Sequence, residues 1–252
     1  MGAKSALLVY ATGHPADLLR MPPAPDPVQT TALVAVTHPA WSGTSGGSGR
    51  LAECIYPPRG LVYAGSFPGI DVLCDQEVMA DRPSGLPAHL LEPGAGRRMV
   101  LHAMHSVSDW FAYAIWDDGI LVRSLSLDPG TGVIEDIGAP QPFEAPFWAG
   151  EHPVIPSAGW PGPPVYPLPF HPLELGEAVL HELMGFVLEG RREETDVAAG
   201  EVELIEFAVT AANSITKAQV DEFIRTRKRT TYRIGPGGTR RIGPDGSLIP
   251  VE

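Results

Sequence analysis

His102 and His105 form an H-x-x-H pair, with Asp109 four residues further on. Two imidazoles and a carboxylate are ligand types for a divalent metal, and they are also the groups that move protons. In a regular strand, residues three apart point to opposite faces, so this pair meets only if the chain turns at His105. His152, after Glu151 in an aromatic loop, and His171, ahead of a helix, are further candidates. If the loop folds over the strands, the four histidines converge into a metal or acid–base site. A bare pair at this spacing is a weak metal signal, however. The expectation is therefore no bound metal and no cofactor, with one packed histidine and one turn histidine.

Other spacings are rejected on chemical grounds. His181-Glu182-Leu183-Met184-Gly185 lacks the second imidazole of H-E-x-x-H, because Gly185 stands where it is needed. Gly43-Thr44-Ser45-Gly46-Gly47 matches a nucleophile elbow in form. An elbow needs a strand before it and a helix after it, and Ser42 to Gly49 reads instead as a flexible linker. The paired acids Asp117-Asp118 and Glu135-Asp136 read as solvated turn carboxylates. Near the end, Arg225, Arg227, Lys228, Arg229, Arg233, Arg240 and Arg241 form a basic surface able to meet phosphate or an acidic protein face. Tyr232 is too little aromatic surface to stack nucleic-acid bases.

The elements that would position these groups are legible in part. Arg98 to Asp128 reads as three consecutive antiparallel strands. Asp118-Gly119 is a two-residue type I′ turn, since both positions tolerate φ > 0. That turn sets Trp116 opposite Leu121, Ala114 opposite Arg123, Ala112 opposite Leu125 and Trp110 opposite Leu127. The alanine floor leaves room for a covering helix. His171 to Glu189 supplies one, about 172–188, with Pro172 in its first turn and Gly190 to close it. Ser5 to Ala11, Leu61 to Phe67, Ile70 to Cys74 and Glu201 to Val209 read as strands. Asp26-Pro27-Val28-Gln29 starts a helix that runs to about Thr37, and Ser84 to Leu91 holds one or two helical turns. Asp128 to Gly162 reads as loop wrapped on the body by Phe143, Phe147, Trp148 and Trp160. Beyond a helix at Lys217 to Arg227, two G-P-x-G turns predict a small three-stranded ribbon from Thr230 to Val251.

Composition narrows the function classes. The chain has 252 residues, of which 28 are glycine and 27 proline, so loops are many, yet aromatic and aliphatic runs interrupt them. No apolar run approaches the roughly 20 residues of a membrane span, and the apolar start is too short for a signal peptide. The expected setting is cytoplasmic, with Cys54 and Cys74 as reduced thiols. Net charge is −12. Residues 217–252 carry eight basic groups against Asp221, Glu222, Asp245 and Glu252, a net of +4, which leaves −16 on residues 1–216. An acidic body disfavours a general nucleic-acid surface.

Five runs carry a family resemblance: G-A-K-S-A-L-L-V-Y-A, V-Y-A-G-S-F-P-G-I-D-V, L-H-A-M-H-S-V-S-D-W-F-A-Y-A-I-W-D-D-G, G-V-I-E-D-I-G-A-P-Q-P-F-E-A-P-F-W-A-G-E-H-P and L-P-F-H-P-L-E-L-G-E. Over about Met1 to Gly190 the chain resembles a bacterial domain of unknown function, frequent in high-GC bacteria. The resemblance implies no activity, and the basic tail lies outside it. The reading from the residues is an α+β fold. A mainly antiparallel sheet has the 98–128 meander at its centre and a covering helix, making a main domain of 1–213. A basic helix and ribbon arm follows at 214–252. Functionally the chain reads as a non-catalytic binding or assembly module whose arm engages another subunit or a protein partner. A metal-assisted hydrolase built on His102 and His105, or a nucleic-acid-associated protein acting through the tail, are the alternatives.

Overall fold

The computed structural model describes residues 2–41, 45–154 and 167–209, and the backbone alone of three short strands at 231–235, 238–242 and 248–250. Met1–Ala211 forms one unit and Ala212–Glu252 a second. In the second, β10 (Thr231–Gly235), β11 (Gly238–Ile242) and β12 (Leu248–Pro250) pair antiparallel in sequence order. The helix expected at 217–227 and the side chains of Arg225, Arg227, Lys228, Arg229, Arg233, Arg240 and Arg241 lie outside the described residues.

The first unit is built on nine strands: β1 (Lys4–Ala11), β2 (Ser45–Arg50), β3 (Leu61–Phe67), β4 (Ile70–Cys74), β5 (Arg98–His105), β6 (Trp110–Asp117), β7 (Ile120–Asp128), β8 (Gly132–Ile137) and β9 (Glu203–Ala208). They form one antiparallel sheet in the order β2-β9-β3-β4-β1-β5-β6-β7-β8. Both faces are covered, which is why its central strands carry apolar residues on both faces over most of their length. On one face Leu7, Val9, Val72, Val100, Met104, Phe111, Tyr113, Leu125 and Leu127 join a core. On the other, Ala6, Leu8, Tyr10, Leu73, Leu101, Ala103, Ala112, Ala114 and Trp116 form a second core.

Local signals explain the helices. α1 (Pro15–Leu19) opens on proline, and α2 (Pro27–Thr37) has Asp26 as its N-cap, accepting from the N–H groups of Val28 and Gln29 at 2.9 and 3.0 Å. Short helices α3 (Leu51–Cys54), α4 (Ala88–Leu91) and α5 (Ala145–Trp148) follow. α6 (Pro172–Met184) ends earlier than expected, at Gly185 rather than Gly190. Gly185 takes φ 76°, and a Cβ there would lie 2.8 Å from Ala16 and 2.9 Å from Val197, so the chain both turns and packs too closely for a side chain. The segment beyond then doubles back, and the Glu177 carboxylate accepts from the N–H groups of Leu188 and Glu189.

Three other expectations are corrected. Ser45 to Gly49 is part of edge strand β2, not a free linker, since main-chain bonds to β9 need no side-chain signal. Gly132 to Ile137 is strand β8, with α5 beyond it, in a stretch expected to be loop. Finally, the β6–β7 register holds only next to the turn. Asp118 (φ 50°) and Gly119 (φ 75°) make the expected turn, and Trp116 faces Leu121. One strand residue later a bulge at Val122 puts Arg123 opposite Ile115, Ser124 opposite Ala114, Leu125 opposite Tyr113, Ser126 opposite Ala112 and Leu127 opposite Phe111. A one-residue shift moves every side chain to the other face. The leucines therefore join Phe111 and Tyr113, and α6 packs on that face through Leu175, Val179, Leu180 and Leu183, not on Ala112 and Ala114. The alanine face is covered instead by α2, through Leu33 and Val34, and by Leu86 and Leu90.

Candidate functional site

His102 lies in the middle of β5 and faces α6. Its ring is fully buried, with Nδ1 2.8 Å from Ser5 Oγ and Nε2 2.8 Å from the Gly176 carbonyl oxygen. A carbonyl only accepts, so Nε2 carries the proton, and Nδ1 accepts from the Ser5 hydroxyl. The pair has the composition of a serine–histidine dyad but no path for a substrate. Burial pushes the ring's pKa down to about 4, against the smaller opposing effect of the Gly176 bond. His102 thus pins the helix carbonyl to the sheet.

The remaining candidates are placed apart from it. His105, three residues along β5, turns to the other face, where its ring meets Tyr56 edge-on at 5.8 Å. It lines a shallow cleft of about 380 Å³ with Asp81, Ser108, Trp110 and Asp128. Burial and the nearby Lys4 ammonium lower its pKa. Asp109 occupies a turn at φ 51°, and its carboxylate lies 3.6 Å from His171 Nε2. His171 caps α6, its Nδ1 accepting from the Leu173 N–H at 3.3 Å. His152 is exposed and stacks on Phe147 at 4.1 Å. His181, from the incomplete H-E-x-x-H run, reaches Asp196 at 3.1 Å. Ser45 begins edge strand β2. The structure joins Asp109 to His171; His102 and His105 stay on opposite faces of the sheet.

The acids of β8 and the loop after it form a buried network that the sequence reading missed. Glu135, taken for a solvated turn residue, is buried and accepts from the Ser84 N–H and hydroxyl and from the Ser124 hydroxyl. Arg123 and Glu144 are both fully buried and pair twice, at 2.9 and 2.7 Å. Glu144 also accepts from Tyr113 Oη, the Gln141 N–H and Trp148 Nε1. Burial alone would raise its pKa, but these donors outweigh it and hold the carboxyl below its ordinary value. The remaining Arg123 donors go to Asp136 and to the carbonyls of Ile137 and Gly138. With its polar atoms satisfied internally, this network anchors the 138–148 loop.

A second missed group lies at the C-terminal end of α2. His38, Asp75 and Glu77 place possible ligand atoms within 4.8 Å of one another. His38 lies 37 residues before Asp75, so no motif announced the group. Asp75-x-Glu77 after a strand was the one local hint.

A further cleft of about 340 Å³ is lined by Thr12, His14, Arg97, Arg98, Asp117 and Asp118. Its charges pair among neighbours, Arg97 with Asp71 at 2.6 Å and Arg98 with Asp117 at 2.7 Å. No helix among the described residues is long and apolar enough to cross a membrane. No curated protein and no solved structure matches the chain. The model of a family of unknown function, DUF6928, matches residues 5–207, most of the first unit, and the chain belongs to that family.

Proposed function

We propose that this chain is a non-catalytic binding or assembly module whose basic arm, from about residue 214, engages an acidic surface on another subunit or a protein partner. The observation that carries the reading is the charge division. Residues 217–252 hold +4 and the remainder −16, so long-range attraction favours such docking. The three strands of the arm are short, and a ribbon of that size is marginal without a supporting surface. Exchange of such an arm between identical chains is a low-cost route to a symmetric oligomer. The histidine geometry supports a non-catalytic reading of the first unit: His102 is sealed and saturated, and His105 lies on the opposite face. Nucleic acid is the weaker partner class, because the acidic body repels phosphate. Both cysteines are buried and unbridged, which supports a reducing, cytoplasmic setting.

The test is truncation after Asn213, with mass measured by light scattering at low and high salt. Arm-driven assembly predicts an oligomer that the truncation, or salt, converts to monomer. A monomeric full-length protein, or a truncated one of unchanged mass, refutes it.

A further inference from the structure

His38 ends α2, and Asp75 and Glu77 follow directly on β4, so the three meet where a helix terminus crosses the end of a central strand. His38 Nδ1 lies 3.0 Å from Thr37 Oγ1, and Nε2 lies 3.1 Å from Asp75 Oδ2. Thr37 is buried, and its hydroxyl donates back to the Leu33 carbonyl at 3.0 Å. The two contacts fix the plane of the ring and aim Nε2 at the carboxylate. The other oxygen of Asp75 accepts from the Glu77 N–H at 3.0 Å, which holds Oδ2 toward the ring.

The geometry matches a metal ion's needs. Two ligands on a tetrahedral ion with bonds of about 2.0 Å are about 3.3 Å apart. The His38–Asp75 distance already falls there. Glu77, with its side chain 47% exposed, is free to close the rest of the 4.8 Å span and opens the site to solvent. His89 Nε2, 3.5 Å from Glu77 Oε1, is placed to orient that carboxylate, and Thr37 does the same for the imidazole, as outer-shell partners of metal ligands do. The α2 C-terminus adds the negative end of the helix dipole.

We propose that His38, Asp75 and Glu77 bind a first-row divalent cation of the zinc and manganese class, with water completing its coordination. The imidazole selects against magnesium and calcium, and the two carboxylates balance the ion's charge. This site is separate from the H-x-x-H pair and independent of the arm, and it departs from the expectation of a metal-free protein.

The test uses full-length protein stripped with chelator and dialysed. It is titrated calorimetrically with zinc chloride, and separately with manganese, magnesium and calcium chloride. Saturation near one equivalent of zinc or manganese is expected, weakened at least about tenfold by Glu77→Gln. His38→Ala should abolish it, with folding checked by circular dichroism because His38 ends a helix. If that variant does not fold, Glu77→Gln, on a solvent-exposed turn, decides. The proposal is overturned if neither zinc nor manganese saturates near one equivalent, if Glu77→Gln binds like the wild type, or if magnesium or calcium binds as tightly.

Discussion

Acid titration of His102 is the sharpest test of its place in the core. Unfolded, this ring has the ordinary histidine value of 6.5; folded, burial holds it at about 4. Between those two values the unfolded chain carries a proton that the folded chain refuses. Stability is therefore fully present above the unfolded value and falls as pH falls through this window. Integrating the two binding curves from pH 7.5 to 4.5 gives a loss of about 2.5 kcal/mol from this one group. That is a large fraction of the roughly 5–15 kcal/mol expected for a domain. The assay is urea unfolding followed by tryptophan fluorescence at several pH values and one protein concentration, on the wild type and on His102→Leu. Carboxylates lose stability in both proteins, so their contribution cancels in the difference. The wild type should lose about 2.5 kcal/mol more than the variant over that range, although the variant starts lower because Ser5 Oγ loses its partner. Equal pH dependence in the two proteins would mean that the ring titrates freely, and the sealed Ser5–His102–Gly176 arrangement would be wrong.

Three further outcomes follow from the packing. Glu144→Gln leaves the fully buried Arg123 with the half-exposed Asp136 as its remaining charge partner, and should cost about 3–5 kcal/mol in urea unfolding; a double change to Arg123→Met with Glu144→Leu should recover part of that loss, and a near-neutral single variant would show that the pair is not what holds the 138–148 loop. Gly119→Val should lower the melting temperature, because a β-branched residue resists the φ of 75° at that turn position; an unchanged melting curve would remove the turn assignment. Leu183→Ala should cost about 2–5 kcal/mol, since Leu183 is 7% exposed within the core under α6. An effect near zero would place the helix elsewhere.

What the sequence by itself determined is local. Asp26 and Pro27 start α2, Pro39 stops it, Asp118-Gly119 turns β6 into β7, and the apolar runs at 61–67 and 70–74 are strands; each signal acts within about one helical turn or one hairpin of itself. What only the tertiary structure decided is which face each strand buries. The bulge at Val122 carries no mark in β7, yet it brings Arg123 to Glu144, 21 residues on, and so puts the leucines under α6 and the serines against the alanines. β2 was invisible because a glycine- and serine-rich edge is held by main-chain bonds to β9, which are indifferent to side chains. The candidate site divides in the same way. His102 and His105 stood out because they are neighbours in sequence, but strand geometry sends them to opposite faces. His38, Asp75 and Glu77 went unnoticed because their proximity comes from α2 crossing the end of β4, a contact between residues 37 positions apart that no local spacing records.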